Sequence, residues 1–354
     1  MRLPRTSTVL AIAGLSFIAA IAVWWCQPTE EEILKRYGLE GELFATESQY
    51  KWADKWITDH EMDFPLWMRE QLDNRFRNNT YCLNGIRKEI PPSQYVAALS
   101  HLRLASVFLS LPLSPEFREE LKQQRHLTEV TVSGPLDATD SREDLDFLLH
   151  QSELTSANFF NFEEPQKISQ VLQTCPQLTT LKLSFERLDD SFIDALPLIP
   201  ELTELDLSSA EPSSRNKPII LPRKLANFWI KSPDLDLFLV AAHSCPVLTE
   251  LTMQCAELTA EQLASFSHFP SLKMLKISGL GNPIEVAPED WLQLKIPPSL
   301  ETLNLFWVKV PPALLPVLAA QIPSGQRLRM TCSSRTGLSA ADFAPWPQLV
   351  PDFK

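Results

Sequence analysis

A chain of 354 residues, 44% of them hydrophobic, is long enough for one extended repeat array or for two domains. Its formal net charge of −12, from 44 acidic and 32 basic side chains, disfavours a role on nucleic acid, which requires clustered Lys and Arg. The same charge slightly favours basic or apolar partners.

The N-terminal segment predicts a membrane helix. Residues 8–26 carry no charge and follow the basic residues Arg2 and Arg5. At about 1.5 Å per residue these residues span roughly 28 Å, enough for the hydrocarbon core of a bilayer. Basic residues before such a helix keep the N-terminus in the cytoplasm. We therefore expect a single-pass membrane protein with an extracytoplasmic body.

A cleaved signal peptide is the alternative interpretation of this segment. Ala20 and Ala22 are the small residues that would precede the cleavage site. The mature protein would then be secreted or periplasmic. Both interpretations export the body of the protein, and both end the first segment at residue 26.

Export exposes the cysteines to oxidising conditions, so disulfides have to be considered. Cys175 and Cys245 occupy the same place in repeat units three steps apart, about 14 Å at strand spacing, whereas bridged Cα atoms lie within about 7 Å. These two are therefore expected to be buried core residues. The sequence leaves open whether Cys82, Cys255 and Cys332 pair.

Residues 27–90 show no repeat and are expected to form a helical N-terminal cap. Residues 48–60, with Trp52 and Trp56 four apart, and residues 66–76 have helical spacing of apolar side chains. A cap of this kind covers the apolar end that the first unit of a repeat array exposes. His60, Glu61 and Asp63 lie in the same region without metal-ligand spacing, so we expect a solvated surface there.

From residue 91 to the C-terminus, one pattern recurs: Leu, two residues, an apolar residue, one residue, an apolar residue. Successive starts are 23 to 28 residues apart. The starts are Leu102, Leu127, Leu154, Leu178, Leu202, Leu225, Leu248, Leu272 and Leu300. A degenerate last unit follows near Leu328. Even spacing of this kind predicts a solenoid of stacked units.

The segments between the predicted strands are mostly expected to be helical. Those with helical spacing are residues 115–124, 142–150, 168–173, 190–196, 235–243, 260–266 and 312–321. Residues 210–223 and 279–288 are the exceptions and are expected to be extended loops.

The repeats resemble leucine-rich repeats, in particular the ribonuclease-inhibitor-like type with Cys-Pro before the strand. The phrases that carry the resemblance are CPQLTTLKLS, IPELTELDLSSA, CPVLTELTMQCAELT and FPSLKMLKISGL. The resemblance implies an α/β horseshoe with a parallel sheet on its concave side and helices outside. One feature departs from the family. Its usual Asn or Cys ladder positions hold Glu186, Ala210, Ala256 and Leu280, so that ladder is not expected.

Strand alternation places the residue between the last two apolar positions on the solvent face. Along the array these residues are Ser106, Thr131, Asn158, Lys182, Asp206, Trp229, Thr252, Lys276 and Asn304. Phe108, Phe160 and Phe306 fall in the neighbouring exposed column. Trp229 is the one large side chain among small and polar ones.

An exposed aromatic side chain ringed by polar groups is typical of an interface anchor. We therefore expect partner binding by Trp229 and its surroundings. These surroundings are Asp206, Lys231, Asn227, Glu204, Glu250, Thr252 and Gln254. The alternative is that the unit at Leu225 is shifted by one residue, which would bury Trp229.

Signatures of an enzyme are missing from the sequence. It contains no GxSxG, HExxH or phosphate-binding Gly-rich loop, and nine glycines in all. No catalytic residue, metal site or cofactor is predicted. The sequence therefore predicts a non-enzymatic scaffold, membrane-anchored or exported, that binds a protein or peptide partner and no nucleic acid on its concave sheet. The alternative is a targeting subunit that docks an enzyme or assembly through its cap.

Overall fold

A computed structural model describes residues 30–37, 43–45, 80–84, 92–134, 145–162, 166–188, 190–211, 218–232, 235–333 and 336–353. The chain divides into two compact units, residues 1–104 and 105–354.

The N-terminal unit contains two helices and two strands among its described residues. They are α1 (Glu30–Tyr37), β1 (Leu43–Ala45), β2 (Thr80–Asn84) and α2 (Pro92–Leu99). Strands β1 and β2 pair antiparallel, with Leu43 opposite Leu83. Helix α1 starts with acidic residues and ends with Lys35 and Arg36, which complements the helix dipole. It packs against α2.

The predicted membrane segment, residues 8–26, and the predicted cap helices, residues 48–60 and 66–76, lie outside the described residues. Within the part of the chain that the structure describes, no helix has both the length and the apolar character needed to cross a bilayer. The antiparallel strands β1 and β2 were not expected from the sequence.

The second unit is built on eleven parallel strands that pair in chain order, as the repeat predicts. They are β3 (Arg103–Ser110), β4 (Glu129–Ser133), β5 (Ser156–Phe162), β6 (Thr180–Arg187), β7 (Glu204–Glu211), β8 (Asn227–Lys231), β9 (Glu250–Cys255), β10 (Met274–Gly279), β12 (Thr302–Phe306), β14 (Leu328–Cys332) and β15 (Leu349–Phe353). Two short strands, β11 (Ile284–Glu285) and β13 (Val308–Lys309), form a separate parallel pair.

Most of the connecting segments are helical. The α-helices are α3 (Pro115–Gln123), α4 (Gln166–Leu172), α5 (Asp190–Ala195), α6 (Leu235–Ala242), α7 (Ala260–Ser265), α8 (Pro288–Trp291), α9 (Leu314–Gln321) and α10 (Ala340–Phe343). Short 3₁₀ helices lie at Asp146–His150, Leu196–Leu198 and Phe266–His268. Helix α7 begins with a capping box between Thr259 and Gln262.

The two predicted extended loops have different outcomes. Residues 218–223 contain no helix, which agrees with the prediction for that part of residues 210–223. Residues 279–288 contain β11, which the sequence did not indicate.

The apolar triplets form the core of the second unit. Leu205 and Leu207 are 1% and 0% exposed, and they pair in register with Leu181 and Leu183 on β6. Since alternate residues of a strand face opposite sides, the residues between them lie on the other face of the sheet. The short parallel strands are stable because each stacked neighbour buries the same apolar row.

The first repeat starts at Leu104, so the prediction of a start at Leu102 is wrong. Val107 and Leu109 pair with Val130 and Val132 of β4, and Phe108, not Ser106, pairs with Thr131. The reason is that the segment LRLASVFL, residues 102–109, contains two overlapping triplets. The one from Leu104 buries Val107 and Leu109 at 1% and 0% exposure.

The C-terminal end has one strand more than the sequence predicts. Strand β14 pairs with β12, and its Met330 and Cys332 are buried, as expected for a degenerate last unit. Strand β15 then pairs with β14 at the end of the sheet. It contains Pro351, a residue that an edge strand tolerates because one side of the strand needs no hydrogen bonds.

None of the four cysteines described in the second unit forms a disulfide. Cys175 and Cys245 are both 1% exposed, as expected for core residues. Cys255 and Cys332 are also buried and free, so neither forms the disulfide that the sequence left open. Burial raises the pKa of Cys245 and Cys332 to about 11 and that of Cys255 to about 12.

A threonine ladder runs along the N-terminal ends of the strands. The Thr203 hydroxyl donates to the backbone carbonyl of Thr179 over 3.2 Å, and the Thr179 hydroxyl donates to that of Thr155 over 3.1 Å. The amide groups of Thr203 and Glu204 donate to the same Thr179 carbonyl over 2.9 and 3.0 Å. The threonine that follows the first Leu of a unit therefore helps to bond that unit to the one before it.

Candidate functional site

Trp229 lies on the solvent face of the sheet. It is half-buried, whereas its strand neighbours Phe228 and Ile230 are 2% and 0% exposed. Trp229 pairs with Asp206 of β7 on one side and with Thr252 of β9 on the other. The alternative in which this unit is shifted by one residue is therefore wrong.

The chain enters β8 as it enters the other strands, although the segment before it lacks a helix among its described residues. The Leu225 amide donates to the carbonyl of Pro222, as the Leu248 amide donates to that of Cys245. The next two amides, of Ala226 and Asn227, donate to the Thr203 carbonyl, both over 2.9 Å. These bonds fix the register that turns Trp229 outward.

Together with Ser208, the eight predicted partner-binding residues form a grid of three strands by three residues centred on Trp229. We call this surface the Trp229 grid. It consists of Glu204, Asp206 and Ser208 on β7, Asn227, Trp229 and Lys231 on β8, and Glu250, Thr252 and Gln254 on β9. With about 4.8 Å between strands and about 6.6 Å between alternate residues, the grid spans about 10 by 13 Å.

Six of the eight predicted residues line one depression with a volume of about 220 Å³. They are Trp229, Asp206, Asn227, Glu204, Glu250 and Thr252. Lys182 of β6, which pairs with Asp206, also lines it and was missed as a site residue. Its place in the outward row was the available signal.

The depression contains more negative than positive charge. Glu204, Asp206 and Glu250 carry carboxylates, and Lys182 carries an ammonium group. The Thr180 hydroxyl donates to one carboxylate oxygen of Glu204 over 3.0 Å, which directs that side chain towards β6. The depression therefore presents a net negative surface beside the indole ring.

Asp206 is the most perturbed acid of this surface. Burial raises its pKa from 3.8 to about 6, nearby Glu204 adds to the rise, and Lys182 opposes it. Within the described part of the chain, the Asp206 carboxylate makes no hydrogen bond or ion pair. Its negative charge is partly removed from water, and the charge of Lys182 offsets this only in part.

Lys231 and Gln254 line a second, larger groove of about 600 Å³ instead. This groove lies at the C-terminal ends of β6 to β9. Its polar lining includes Ser184, Ser208, Ser232 and Thr259, and its apolar lining includes Phe185, Leu235 and Leu280. The sequence repeat does not predict this groove, because the groove depends on the paths of the connecting segments. Between them, the two cavities are lined by all nine residues of the Trp229 grid.

Phe108, Phe160 and Phe306, the other aromatic residues predicted on the solvent face, lie away from this grid. Phe160 pairs with Ser184 on β6, and Phe306 pairs with Ser278 on β10. These pairings place both phenylalanines in one outward row, as expected. Phe108 lies in the row of Trp229 instead, five strands away, because the first repeat starts at Leu104. The Lys276 ammonium lies 5.4 Å from the centre of the Phe306 ring.

Residues with catalytic or metal-binding chemistry are dispersed in the described ranges. No group of three or more His, Cys, Asp or Glu side chains there has the arrangement of a metal site. His126 contacts Glu153 at 3.1 Å on the surface. His243 packs edge-on against His268, with ring centroids 4.9 Å apart. His60, Glu61 and Asp63 lie outside the described residues.

Comparisons with known proteins give no family. No protein-family model matches the chain, and no curated protein matches it. Among solved structures, an internalin of Listeria monocytogenes matches with 15% identity and a TM-score of 0.44, covering 81% of this chain and 89% of that one. Likeness at this level carries no function to the chain, so the fold assignment depends on the chain's own features. Its LxxLxL strands, their register in one parallel sheet and the helical connections are the architecture of a leucine-rich-repeat solenoid.

Proposed function

We propose that this protein is a non-enzymatic interaction scaffold that binds a protein or peptide partner at the Trp229 grid. The observation that carries the proposal is the outward orientation of Trp229 in a depression surrounded by polar side chains. Large aromatic residues in such a setting dominate the energetics of protein interfaces. The sheet supports binding, because side chains held on rigid strands lose little conformational entropy when a partner docks.

The proposal places the body of the protein outside the cytoplasm, on the basis of the uncharged N-terminal segment. The Cys-Pro before two of the strands favours the ribonuclease-inhibitor-like type of repeat. Cell fractionation with protease protection tests the location. The body should be digested only when protease has access to the extracytoplasmic side.

A photoreactive residue placed at Trp229 tests partner binding. The full-length protein is expected to cross-link a discrete protein or peptide in its native cells. The same replacement at Phe108 is the matched control, since Phe108 lies in the same outward row and is 40% exposed. It should not yield the same product.

The identified partner then provides a quantitative test. Trp229→Ala should reduce its affinity at least tenfold while the circular dichroism spectrum and unfolding midpoint of the variant stay near those of the wild type. An unchanged affinity in a folded Trp229→Ala variant would refute the proposal.

A further inference from the structure

We infer that the depression beside Trp229 takes one cationic side chain, Lys or Arg, from an extended segment of the partner. This inference depends on the proposed function and specifies the chemistry of the partner at the same site. It is carried by the charge, the ring and the size of the depression.

Charge complementarity points to a cation. The depression is lined by three carboxylates, of Glu204, Asp206 and Glu250, and by one ammonium group, of Lys182. Asp206, on β7, is the direct cross-strand neighbour of Trp229. Glu204 on β7 and Glu250 on β9 lie diagonally from Trp229 on the two adjacent strands. An anionic side chain would meet net repulsion here.

Asp206 distinguishes a cationic from an apolar occupant. Its carboxylate has no hydrogen-bond or ion-pair partner within the described ranges. An apolar side chain seated against Trp229 would remove more water from this carboxylate and offer nothing in exchange, which is unfavourable. An ammonium or guanidinium group would supply the missing partner.

The indole ring of Trp229 favours the same occupant. Cations bind over the face of tryptophan better than over any other aromatic side chain, and the contact strengthens when the cation loses water. The aliphatic part of Lys or Arg packs on an apolar surface while its charged end reaches polar groups. Trp229 and Asp206, side by side on neighbouring strands, offer both surfaces.

The size of the depression suits a single side chain. Its volume of about 220 Å³ is below the lower limit of about 300 Å³ for sites that hold drug-sized ligands. The partner's adjoining residues would lie over the rest of the Trp229 grid and the groove lined by Ser208, Lys231 and Gln254.

A peptide library tests this inference even before the natural partner is identified. The probe is a phage-displayed library of random twelve-residue peptides, selected on the full-length protein and eluted from it. We expect the selected peptides to share one Lys or Arg. Replacing that residue with Met should reduce affinity at least tenfold on the wild type and less than threefold on Asp206→Asn.

Protein variants complete the test. Asp206→Asn is expected to weaken the selected peptides at least tenfold. Glu129→Gln is the matched control, since Glu129 is an exposed acid on the same face of the sheet, on β4, and lies outside the depression. It should leave their affinity unchanged.

Two outcomes would overturn the inference, and they differ in what they say of the proposed function. The first outcome is a set of peptides that need Trp229 but share no basic residue, or that bind Asp206→Asn as well as the wild type. This outcome would refute the cationic occupant and leave the proposed function unaffected. Selected peptides whose affinity is unaffected by Trp229→Ala, or a library that yields no binder, count against both.

Discussion

Asp206 and Trp229 lie directly beside each other on β7 and β8, with their backbones in register and both side chains on the solvent face. The carboxylate and the indole therefore share one depression. The ionised carboxylate loses part of its hydration there, so the arrangement costs stability in the free protein. Such a cost is typical of functional sites, where the best geometry for binding is not the best for folding.

The first prediction concerns the pH dependence of stability. Burial raises the pKa of Asp206 from 3.8 to about 6, so the folded state holds this proton more tightly than the unfolded state. The contribution of Asp206 to stability therefore falls as pH rises from about 4 to about 6 and stays unfavourable above that. Asp206→Asn should raise the free energy of unfolding by about 1–3 kcal/mol at pH 7.5 and have little effect at pH 4.

Chemical denaturation at the two pH values measures this effect. The charged groups around Asp206 are Lys182, Glu204 and Glu250, and they are present in both proteins. Ser208→Ala, on the same outward face of β7, changes no titratable group and should show no such difference between pH 4 and pH 7.5. A destabilised Asp206→Asn variant at pH 7.5 would contradict the prediction.

The second prediction concerns the core rows. Leu205 is 1% exposed and pairs with Leu181 and Phe228 on the adjacent strands. Leu205→Ala should lower the free energy of unfolding by about 2–5 kcal/mol, because it removes buried surface and leaves a cavity. Ser208→Ala, on the outward face of the same strand, should change it by less than about 0.5 kcal/mol. Equal effects in denaturant titrations would argue against the observed alternation.

The third prediction concerns Gly279 at the end of β10. A Cβ atom there would lie 2.7 Å from the backbone oxygen of Trp307 and closer still to that of Asn282. Since backbone atoms cannot move aside cheaply, Gly279→Ala should cost about 3 kcal/mol. Gly281 has φ +77° and open space around it, so Gly281→Ala should cost about 1 kcal/mol from backbone strain alone. Thermal unfolding of both variants would reveal a reversed order if the prediction is wrong.

The fourth prediction concerns the buried thiols. Burial raises the pKa values of Cys175, Cys245, Cys255 and Cys332, and the thiolate is the reactive form. Iodoacetamide at pH 8 should leave these four unlabelled in the folded protein and label all of them in urea. Peptide mass spectrometry resolves each site. Labelling of any of the four under native conditions would show that its unit opens readily.

The fifth prediction concerns the threonine ladder. Thr203→Val removes the hydroxyl that donates to the Thr179 carbonyl, which should cost about 0.5–1.5 kcal/mol. Thr252→Val is the matched control, because the Thr252 hydroxyl has no hydrogen bond within the described residues. A free energy of unfolding that responds equally to both substitutions would remove the ladder as a source of stability.

Sequence reasoning located the repeat array and the outward face of Trp229 because both follow from short local spacing. Leu225 fixes the phase of its unit, and alternation then turns Trp229 away from the buried Phe228 and Ile230. The same spacing failed at β3, where Leu102 and Leu104 both begin an acceptable triplet and only pairing with β4 chooses between them.

Other features depend on contacts that no single unit specifies. Strand β15 has no triplet, since Val350 and Pro351 interrupt it, and it forms because β14 offers a partner. The large groove depends on where the connecting segments pass. The sequence shows the threonine ladder as a Thr after the first Leu in five units. The leucine-rich-repeat resemblance predicts a different ladder, of Asn or Cys, at the opposite ends of the strands.

The hydrogen bonds between each unit and the one before it determine which insertions and deletions the fold tolerates. The backbone amides of Thr203 and Glu204 donate to the Thr179 carbonyl. In the same way, the amides of Thr179 and Thr180 donate to the Thr155 carbonyl, 24 residues earlier. Deletion of residues 179–202 would therefore place the amides of Thr203 and Glu204 next to the Thr155 carbonyl, an equivalent acceptor. Deletion of half as many residues would not bring these amides to such a carbonyl. Whole-unit duplication and deletion are accordingly the changes in gene length that this architecture absorbs.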